Sequence, residues 1–535
     1  MIAAAPAAAS TPAITGDRGS VYVSARAASI SGNHAQAAEL YARLASGSSE
    51  RALVDKAVGA AISAGNMPLA LQLIRAAPQQ PKSVDSKLLM VADALRRGQS
   101  AEAAAVLGAS KQDGDLGFWL PLVQAWDAAD RRDVKTALAV LGQVPTNSAL
   151  AAFVDEETAL ILLKLGKGAE AEPFARRAIG KAGPREYRLR LALAAGYAAL
   201  GDRARASAMI EGVESNADEL RRAAQSGELK RMQIDSGADA FSEQLVALAI
   251  EMRRSNPGGA PVNILQLARY AAPENSSALL FLGTTLDDAG RTDDAVAVFR
   301  AVGREDPLYP EALDAQVRTL SEAERFDTAL SVASTAAQGK GASSEDLARI
   351  ADVYSAMDRH NEAADAYQRA IDRAGESDWT LLLLRASALE SADRWPEAKA
   401  ALTEAMQIAP QQPLILNFLG YAKLERGEDL DTAEALIRKA SSLAPDDASI
   451  TDSLGWALFK RGRTDEAIAT LQRAAMGDPA QAEIHEHLGD ALYSAGRRFE
   501  ARFAWQAALA TADGESIGRL QLKIDGGLTP ATAAR

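Results

Sequence analysis

The sequence predicts an all-α protein, an alpha-alpha superhelix (solenoid) of about 13–14 stacked helical hairpins. Two observations predict this fold class. First, a small residue recurs with a period of 34 or 35 residues through the second half of the chain, and with a similar but looser period through the first half. Second, glycines recur at fixed distances before that small residue. Hydrophobic residues make up 48% of the 535 residues, which is enough for a continuous core.

The second half carries the clearer repeat. Its period is set by seven alanines: Ala295, Ala329, Ala363, Ala398, Ala433, Ala467 and Ala501. Four residues after each alanine comes a companion: Phe299, Ala333, Tyr367, Leu402, Ile437, Leu471 and Trp505. A spacing of four places both positions on one stripe of a helix. We expect the alanine to let two helices approach and the companion to fill the groove beside it.

A second periodic signal lies earlier in the repeat, where a Leu-Gly pair recurs. Its glycines are Gly283, Gly420, Gly455 and Gly489. Glycine inside a helix costs up to about 1 kcal/mol relative to alanine, so its recurrence needs a compensating reason. We expect each glycine to mark close contact with a neighbouring helix.

These features resemble the tetratricopeptide repeat (TPR), a pair of antiparallel helices. The stretches NFLGYAKLERG, DSLGWALFKRGRTDEAIATLQRAAMGDP and EHLGDALYSAGRRFEA are similar to the family consensus. The resemblance implies seven well-formed units over residues 275–510, with the first helix of each pair lining a concave groove. It further implies a role like that of large bacterial multi-TPR scaffold and adaptor proteins, some of which serve processes of the cell envelope.

The first half is predicted to contain degenerate TPR-like units over residues 17–215. Their small residues are Ala37, Ala70, Ala103, Ala137, Ala171 and Ala206. Glycine precedes five of these alanines by five residues, and Arg132 takes that place in the fourth unit. Residues 216–274 read as an irregular helical connector that continues the stack, with a bend or domain boundary near 215–240.

The two ends of the chain read differently from the repeats. Residues 1–16 carry no charge and fit either a disordered leader or the remnant of a secretion signal, so both a cytoplasmic and a periplasmic location stay open. Residues 511–535 are predicted to form a capping helix, over Ser516 to Ile524, and a tail. No stretch of about 18 uninterrupted apolar residues occurs, so we expect no transmembrane segment.

Composition narrows the function classes. The net charge is −13, which disfavours binding to nucleic-acid phosphates. The chain has no cysteine and only four histidines, and it lacks the P-loop, H-E-x-x-H and G-x-S-x-G motifs. We therefore expect no enzyme activity, no cofactor and no metal site. His485, Glu486 and His487 lie together, but residues two apart on a helix point in different directions, which favours ordinary helix surface over a metal site.

The groove is the better candidate site. The Leu-Gly register selects one face of the first helix in each of the last three units: Asn417, Tyr421 and Leu424, then Asp452, Trp456 and Phe459, then Glu486, Asp490 and Tyr493. Aromatic residues beside carboxylates suit a peptide with apolar anchors and some basic residues. Alternatively, Trp456 and Phe459 pack between units. Some TPR domains hold a peptide's terminal carboxylate, but no lysine or arginine accompanies Asn417 on this face.

Trp119 and Trp126 form a second possible patch, for which core packing is an equal alternative. Three functions remain in competition. The first is a non-catalytic scaffold or adaptor that binds a protein or peptide partner. The second is a self-assembling structural protein, and the oligomeric state stays open. The third is an enzyme with a site in the irregular region 216–274, which is small for a catalytic domain.

Overall fold

The computed structural model describes residues 18–46, 48–77, 83–109, 116–211, 213, 220, 223, 229, 232–256, 259–339, 341–375, 378–514 and 516–533. Within these residues there are 29 α-helices and no β-strand, which confirms the all-α class. The predicted leader at 1–16 and most of the polar stretch at 216–231 lie outside the described residues. The chain divides into two compact units, Met1–Ala323 and Glu324–Arg535.

The helices of the first unit are α1 Arg18–Ile30, α2 His34–Ala45, α3 Arg51–Ser63, α4 Met67–Ala76, α5 Val84–Arg96, α6 Ser100–Ala109, α7 Leu120–Asp130, α8 Val134–Gly142, α9 Val154–Lys164, α10 Gly168–Ile179, α11 Glu186–Ala199, α12 Arg203–Ile210, α13 Gly237–Ser255, α14 Val262–Ala271, α15 Ser276–Asp288, α16 Thr292–Phe299 and α17 Tyr309–Glu322. Short 3₁₀ helices precede α7, α9 and α11.

The helices of the second unit are α18 Phe326–Ala337, α19 Ser344–Ala356, α20 His360–Ala374, α21 Trp379–Ser391, α22 Trp395–Ile408, α23 Pro413–Glu425, α24 Leu430–Leu443, α25 Ala448–Lys460, α26 Thr464–Gly477, α27 Ala482–Ser494, α28 Arg498–Thr511 and α29 Ser516–Gly526. The pairs α19/α20 through α27/α28 are hairpins of adjacent helices, and each hairpin packs on the next. A final helix, α29, packs on α28.

The turn between the two helices of a hairpin is made by a residue with positive φ. Glycine usually supplies it, because glycine has no Cβ to clash in this conformation. Arg132 takes the place of this glycine in its hairpin and has a φ of 60°. Asp358 and Asp393 occupy the same turn position in two later hairpins, with φ of 55° and 58°. The turn geometry is therefore kept in these hairpins at the cost of some backbone strain.

The recurrent helix glycines make room for the companion residues of the same hairpin. A Cβ on Gly283 would lie 2.3 Å from the Phe299 ring, and one on Gly489 would lie 2.3 Å from the Trp505 ring. In the same way, Ile437 occupies the space beside Gly420, and Leu471 occupies the space beside Gly455. The predicted close contact is thus confirmed, and it joins the first helix of a hairpin to the second.

The irregular pair α13/α14 makes contacts in addition to those expected from a connector that continues the stack. A capping box between Ser236 and Asp239 starts α13. Besides packing on α15, the pair lies against the first helices α3, α5 and α7 of the earlier hairpins. Asn263 on α14 donates to Asp85, 2.6 Å away, and the Tyr270 hydroxyl donates to Asp93 at 2.8 Å. The connector therefore covers the first helices of three earlier hairpins as well as extending the stack.

A buried polar network joins α13 to the same array. The Glu157 carboxylate accepts hydrogen bonds from Trp126 Nε1 at 2.8 Å and from Gln244 Nε2 at 2.9 Å. Burial, together with neighbouring Glu156, raises the pKa of Glu157 to about 8. Trp119 packs edge-on against Phe241 of α13. Trp119 and Trp126 are therefore buried core residues, not an exposed patch.

None of the described helices combines the length and the apolar character needed to cross a membrane.

Candidate functional site

The predicted groove residues lie on α23, α25 and α27, the first helices of three successive hairpins in the second unit. Their exposure divides them into two sets. Asn417, Tyr421, Phe459 and Tyr493 are half-buried. Asp452, Trp456, Glu486 and Asp490 are buried. The structure thus places all eight on neighbouring helices, but it leaves only part of the set open to a ligand.

Glu486 and Asp490 are occupied by the last helix of the chain. Lys523 on α29 is completely buried, and its Nζ lies 2.6 Å from Glu486 and 2.8 Å from both oxygens of Asp490. Arg519, one turn earlier, holds Glu486 with two hydrogen bonds of 2.8 Å. These ion pairs hold the pKa of Glu486 below its usual value even though burial opposes that shift. Both carboxylates therefore anchor the C-terminal cap.

The residues after α29 cover the third part of the predicted groove. Gly527 adopts a φ of 85° and comes so close to Tyr493 that a Cβ would lie 2.3 Å from the phenol oxygen. Beyond Gly527, the C-terminal segment and the predicted groove enclose a cavity of about 430 Å³. The segment contributes Leu528, Thr529, Pro530 and Ala533, and the helices contribute Trp456, Phe459, Lys460 and Asp490. The chain's own C-terminal segment thus lies over this end of the groove.

Trp456 is a packing residue with a satisfied indole. Its side chain is 1% exposed and stacks on Phe459 at 5.1 Å and on His487 at 4.1 Å between ring centroids. The indole Nε1 donates to Glu425, 2.7 Å away on the preceding first helix. Of the two interpretations weighed for Trp456, packing between units fits this geometry.

His487 is buried, which corrects the interpretation of this short cluster as ordinary helix surface. Only 1% of its side chain is exposed, and its Nδ1 lies 2.9 Å from Asp452. Burial alone would lower the pKa of His487, but the carboxylate of Asp452 reverses that effect and raises it. Within the described residues, no group of three or more histidine, cysteine, aspartate or glutamate side chains is placed to hold a metal ion.

An open cleft remains next to this buried cluster, between α23, α25 and α27. Its volume is about 330 Å³, and its lining residues come from four successive hairpins: Leu383, Leu414, Asn417, Phe418, Tyr421, Ser449, Asp452, Ser453, Gln481 and Glu483. The Tyr421 hydroxyl lies 3.4 Å from Glu483, and burial followed by the nearby carboxylates raises the Tyr421 pKa. Three of the predicted residues, Asn417, Tyr421 and Asp452, thus meet in one cleft.

Among the described residues, two side-chain oxygen atoms of residues that line this cleft have no hydrogen-bond partner. They are Oδ1 of Asn417 and Oδ1 of Asp452, and both atoms are buried. A buried acceptor left without a hydrogen bond costs about 1–3 kcal/mol. The cleft therefore holds polar groups that a bound molecule could satisfy.

The sequence interpretation missed one row of this cleft. Leu414, Ser449 and Glu483 each lie six residues before the recurrent glycine of their own helix. Leu414 and Ser449 therefore lie three residues before Asn417 and Asp452. Residues three apart lie on the same helical face, so both rows share one face. Extending the same register by one turn towards the helix start would have found them.

Parts of the chain match known repeat families. A model described as TPR repeat matches residues 455–496, and one described as tetratricopeptide repeat matches residues 263–310 and 349–413. No curated protein matches the chain.

Solved structures give weaker likenesses. One is with the APC/C hetero-tetramer Cut9-Hcn1, at 13% identity, with 96% of each chain covered and a TM-score of 0.39. Yeast Tom70 has 12% identity, with 95% of each chain covered and a TM-score of 0.38. A tetratricopeptide repeat protein from Parabacteroides merdae has 15% identity and a TM-score of 0.38, covering 46% of this chain and 96% of the other.

The family models fall on hairpins that the structure forms, and the 34-residue period links these hairpins to their unmatched neighbours. The chain therefore contains tetratricopeptide repeats over these matched residues.

Proposed function

We propose that this protein is a non-catalytic scaffold or adaptor that binds a segment of a partner protein at the cleft between α23, α25 and α27. One observation carries the proposal: the cleft combines apolar side chains with two buried oxygen acceptors that have no partner. Interfaces of this kind bind through an apolar core with a few placed polar groups. The TPR fold supports protein partners in general, and the open, partly polar cleft supports the choice of this location.

The second unit is the better location because the first array is covered from inside. The helices α13 and α14 pack against α3, α5 and α7, and they use their polar side chains in doing so. A partner would have to displace these helices to reach the same face. In the second unit, by contrast, Leu414 is 50% exposed at the cleft.

A more specific role follows only from the resemblance to large bacterial TPR proteins. We propose an adaptor role of that kind, in processes of the bacterial envelope. The enzyme alternative gains nothing from the described part of 216–274, because Glu243, Gln244 and Asn263 are engaged in bonds that hold the connector in place.

Self-assembly is the second candidate, and exposed aromatic side chains favour it. Phe499 and Phe503 on α28 are 75% and 56% exposed and pack edge-on against each other at 4.8 Å. The preceding hairpin carries Asp465 and Ala469 at the corresponding positions. Light scattering over a range of concentrations separates the candidates: a mass that rises with concentration and falls in a Phe503→Ala variant supports self-assembly.

The adaptor proposal is tested by blocking the cleft. Ser449 is exposed in the first turn of α25 and lines the cleft, so Ser449→Trp would fill it without entering the core. Gln407→Trp places the same side chain on an exposed position of α22, a second helix, and serves as the matched control. We expect Ser449→Trp to lose partners that the wild type retains from a native lysate, with Gln407→Trp retaining them. Equal retention by both variants, at unchanged helicity, would contradict the proposal.

A further inference from the structure

We propose that the cleft recognises a positively charged side chain, an arginine or lysine of the bound segment, held by Asp452 and Glu483. This inference rests on the proposed adaptor function and deepens it by naming the chemistry of the partner. Its basis is an unpaired buried carboxylate oxygen, the composition of the cleft wall, and a filled example of the same arrangement one hairpin further along the chain.

The unpaired oxygen belongs to Asp452. Only 4% of this residue is exposed. Its Oδ2 is bonded to His487, whereas its Oδ1 has no partner and the residue lines the cleft. An ionised carboxylate can only accept hydrogen bonds, so the group that completes it must be a donor. A charged donor binds a carboxylate about twice as strongly as a neutral one.

The wall of the cleft favours a cation over a neutral donor. Two of the ten lining residues are carboxylates, and none is lysine or arginine. Glu483 is 55% exposed at its side chain, and its Oε1 lies 3.4 Å from the Tyr421 hydroxyl, which still leaves it acceptor sites. His487 Nδ1 lies 2.9 Å from Asp452 Oδ2 and its Nε2 lies 3.9 Å from Glu483 Oε1, so the two carboxylates share a single imidazole and outnumber it.

The chain shows the same recognition in filled form at the next hairpin. Glu486 lies at the position equivalent to Asp452, three residues before the recurrent glycine. There, Arg519 donates two hydrogen bonds to it and Lys523 a third. A helix from elsewhere in the sequence thus delivers basic side chains to the carboxylate at this register. Asp452 has no such intramolecular partner for its Oδ1.

An apolar residue next to the basic one completes the expected ligand. Leu383, Leu414 and Phe418 line the same cleft as Asp452. In the filled example, Leu520 is buried between Arg519 and Lys523 in sequence. A ligand with neighbouring leucine and arginine would therefore fill both parts of the cleft.

The test compares two small peptides on the full-length protein. The probes are N-acetyl-leucyl-arginine amide and N-acetyl-leucyl-citrulline amide, which differ in charge but hardly in shape, and binding is followed by ligand-observed NMR. We expect the arginine peptide to bind at least about tenfold more tightly, since a charged hydrogen bond is lost with citrulline. Binding of the two peptides with equal affinity would overturn the inference.

Variants locate the effect. Glu483→Gln and Asp452→Asn should each reduce the preference for arginine at least about threefold. Glu404→Gln, at an exposed position of α22, makes the same change in net charge and should leave the preference intact. Because Glu483 is largely exposed, its variant keeps the test valid even if Asp452→Asn disturbs His487. An unchanged preference in Glu483→Gln would overturn the inference.

The two proposals can fail separately. If Ser449→Trp abolishes partner retention while both peptides bind alike, the adaptor function stands and the recognition of a basic side chain is wrong. If Ser449→Trp has no effect on partner retention, the adaptor function itself is wrong, whatever the peptides do.

Discussion

Lys523 provides the sharpest test of how the second unit is closed. Its amino group has no exposed surface and lies within 2.8 Å of three carboxylate oxygens, on Glu486 and Asp490. Replacing it by methionine keeps most of the volume but removes the charged donor that lies 2.8 Å from both oxygens of Asp490. Removing one partner of a buried ion pair costs about 3–5 kcal/mol. We expect Lys523→Met to lower the unfolding free energy of the second unit by about this amount.

The assay is urea denaturation followed by tryptophan fluorescence, because Trp505 is buried against Asp490 and reports on this region. A compensated variant distinguishes charge from packing: Lys523→Met combined with Glu486→Gln and Asp490→Asn should recover most of the loss, since the buried charges are removed together. A Lys523→Met protein within about 1 kcal/mol of the wild type would refute the reasoning, because the ion pairs would then contribute little.

Three further predictions concern the rest of the fold. Gly489→Ala should destabilise the second unit by about 1–3 kcal/mol despite alanine's better helix propensity, because the new Cβ meets the Trp505 ring; thermal unfolding measures it, and a stabilised protein would contradict it. Asp358→Gly should raise stability by up to about 1 kcal/mol, because glycine relieves the positive φ in that turn; urea titration showing a loss would be the opposite result. The folded-state pKa of Glu157 is raised from 4.5 to about 8, so the stability contributed by its protonated form is present below about pH 4 and is lost as the pH rises through 8. We expect the melting temperature to fall over this pH range in the wild type but not in Glu157→Gln. Parallel pH profiles of melting temperature for both proteins would contradict this prediction.

The repeat could be predicted because its causes are local. The sequence separation between Gly283 and Phe299 is the same as that between Gly489 and Trp505. In each hairpin the larger side chain occupies the space that the missing glycine side chain leaves, so the separation is set within a single hairpin. The turn position of Arg132 followed from its place in the period in the same way. Fold class and the helix pairing were therefore readable from spacing alone.

The location of α13 and α14 could not be predicted from spacing. It depends on pairs far apart in sequence, such as Asp85 with Asn263 and Asp93 with Tyr270. These helices lack the repeat signature, so no register showed which surface they cover. The contacts that decide it join residues 87 to 178 positions apart.

The site was predictable in part for a related reason. The glycine register correctly brought Asn417, Tyr421 and Asp452 into one cleft. It could not show that Glu486 and Asp490 are neutralised, because their partners come from the capping helix and not from the repeat. The sequence predicted a basic ligand for these acids, and the chain itself supplies one.

The central claim is that the cleft between α23, α25 and α27 holds a segment of another protein. Site-specific photocrosslinking in native cells tests it most directly, with a photoreactive residue at Ser449 in the cleft and, separately, at Gln407 on α22. We predict a discrete crosslinked partner from Ser449 whose attachment site, mapped by mass spectrometry, lies beside a lysine or arginine. Crosslinks of equal yield and identity from Ser449 and Gln407, or none from Ser449, would contradict the account.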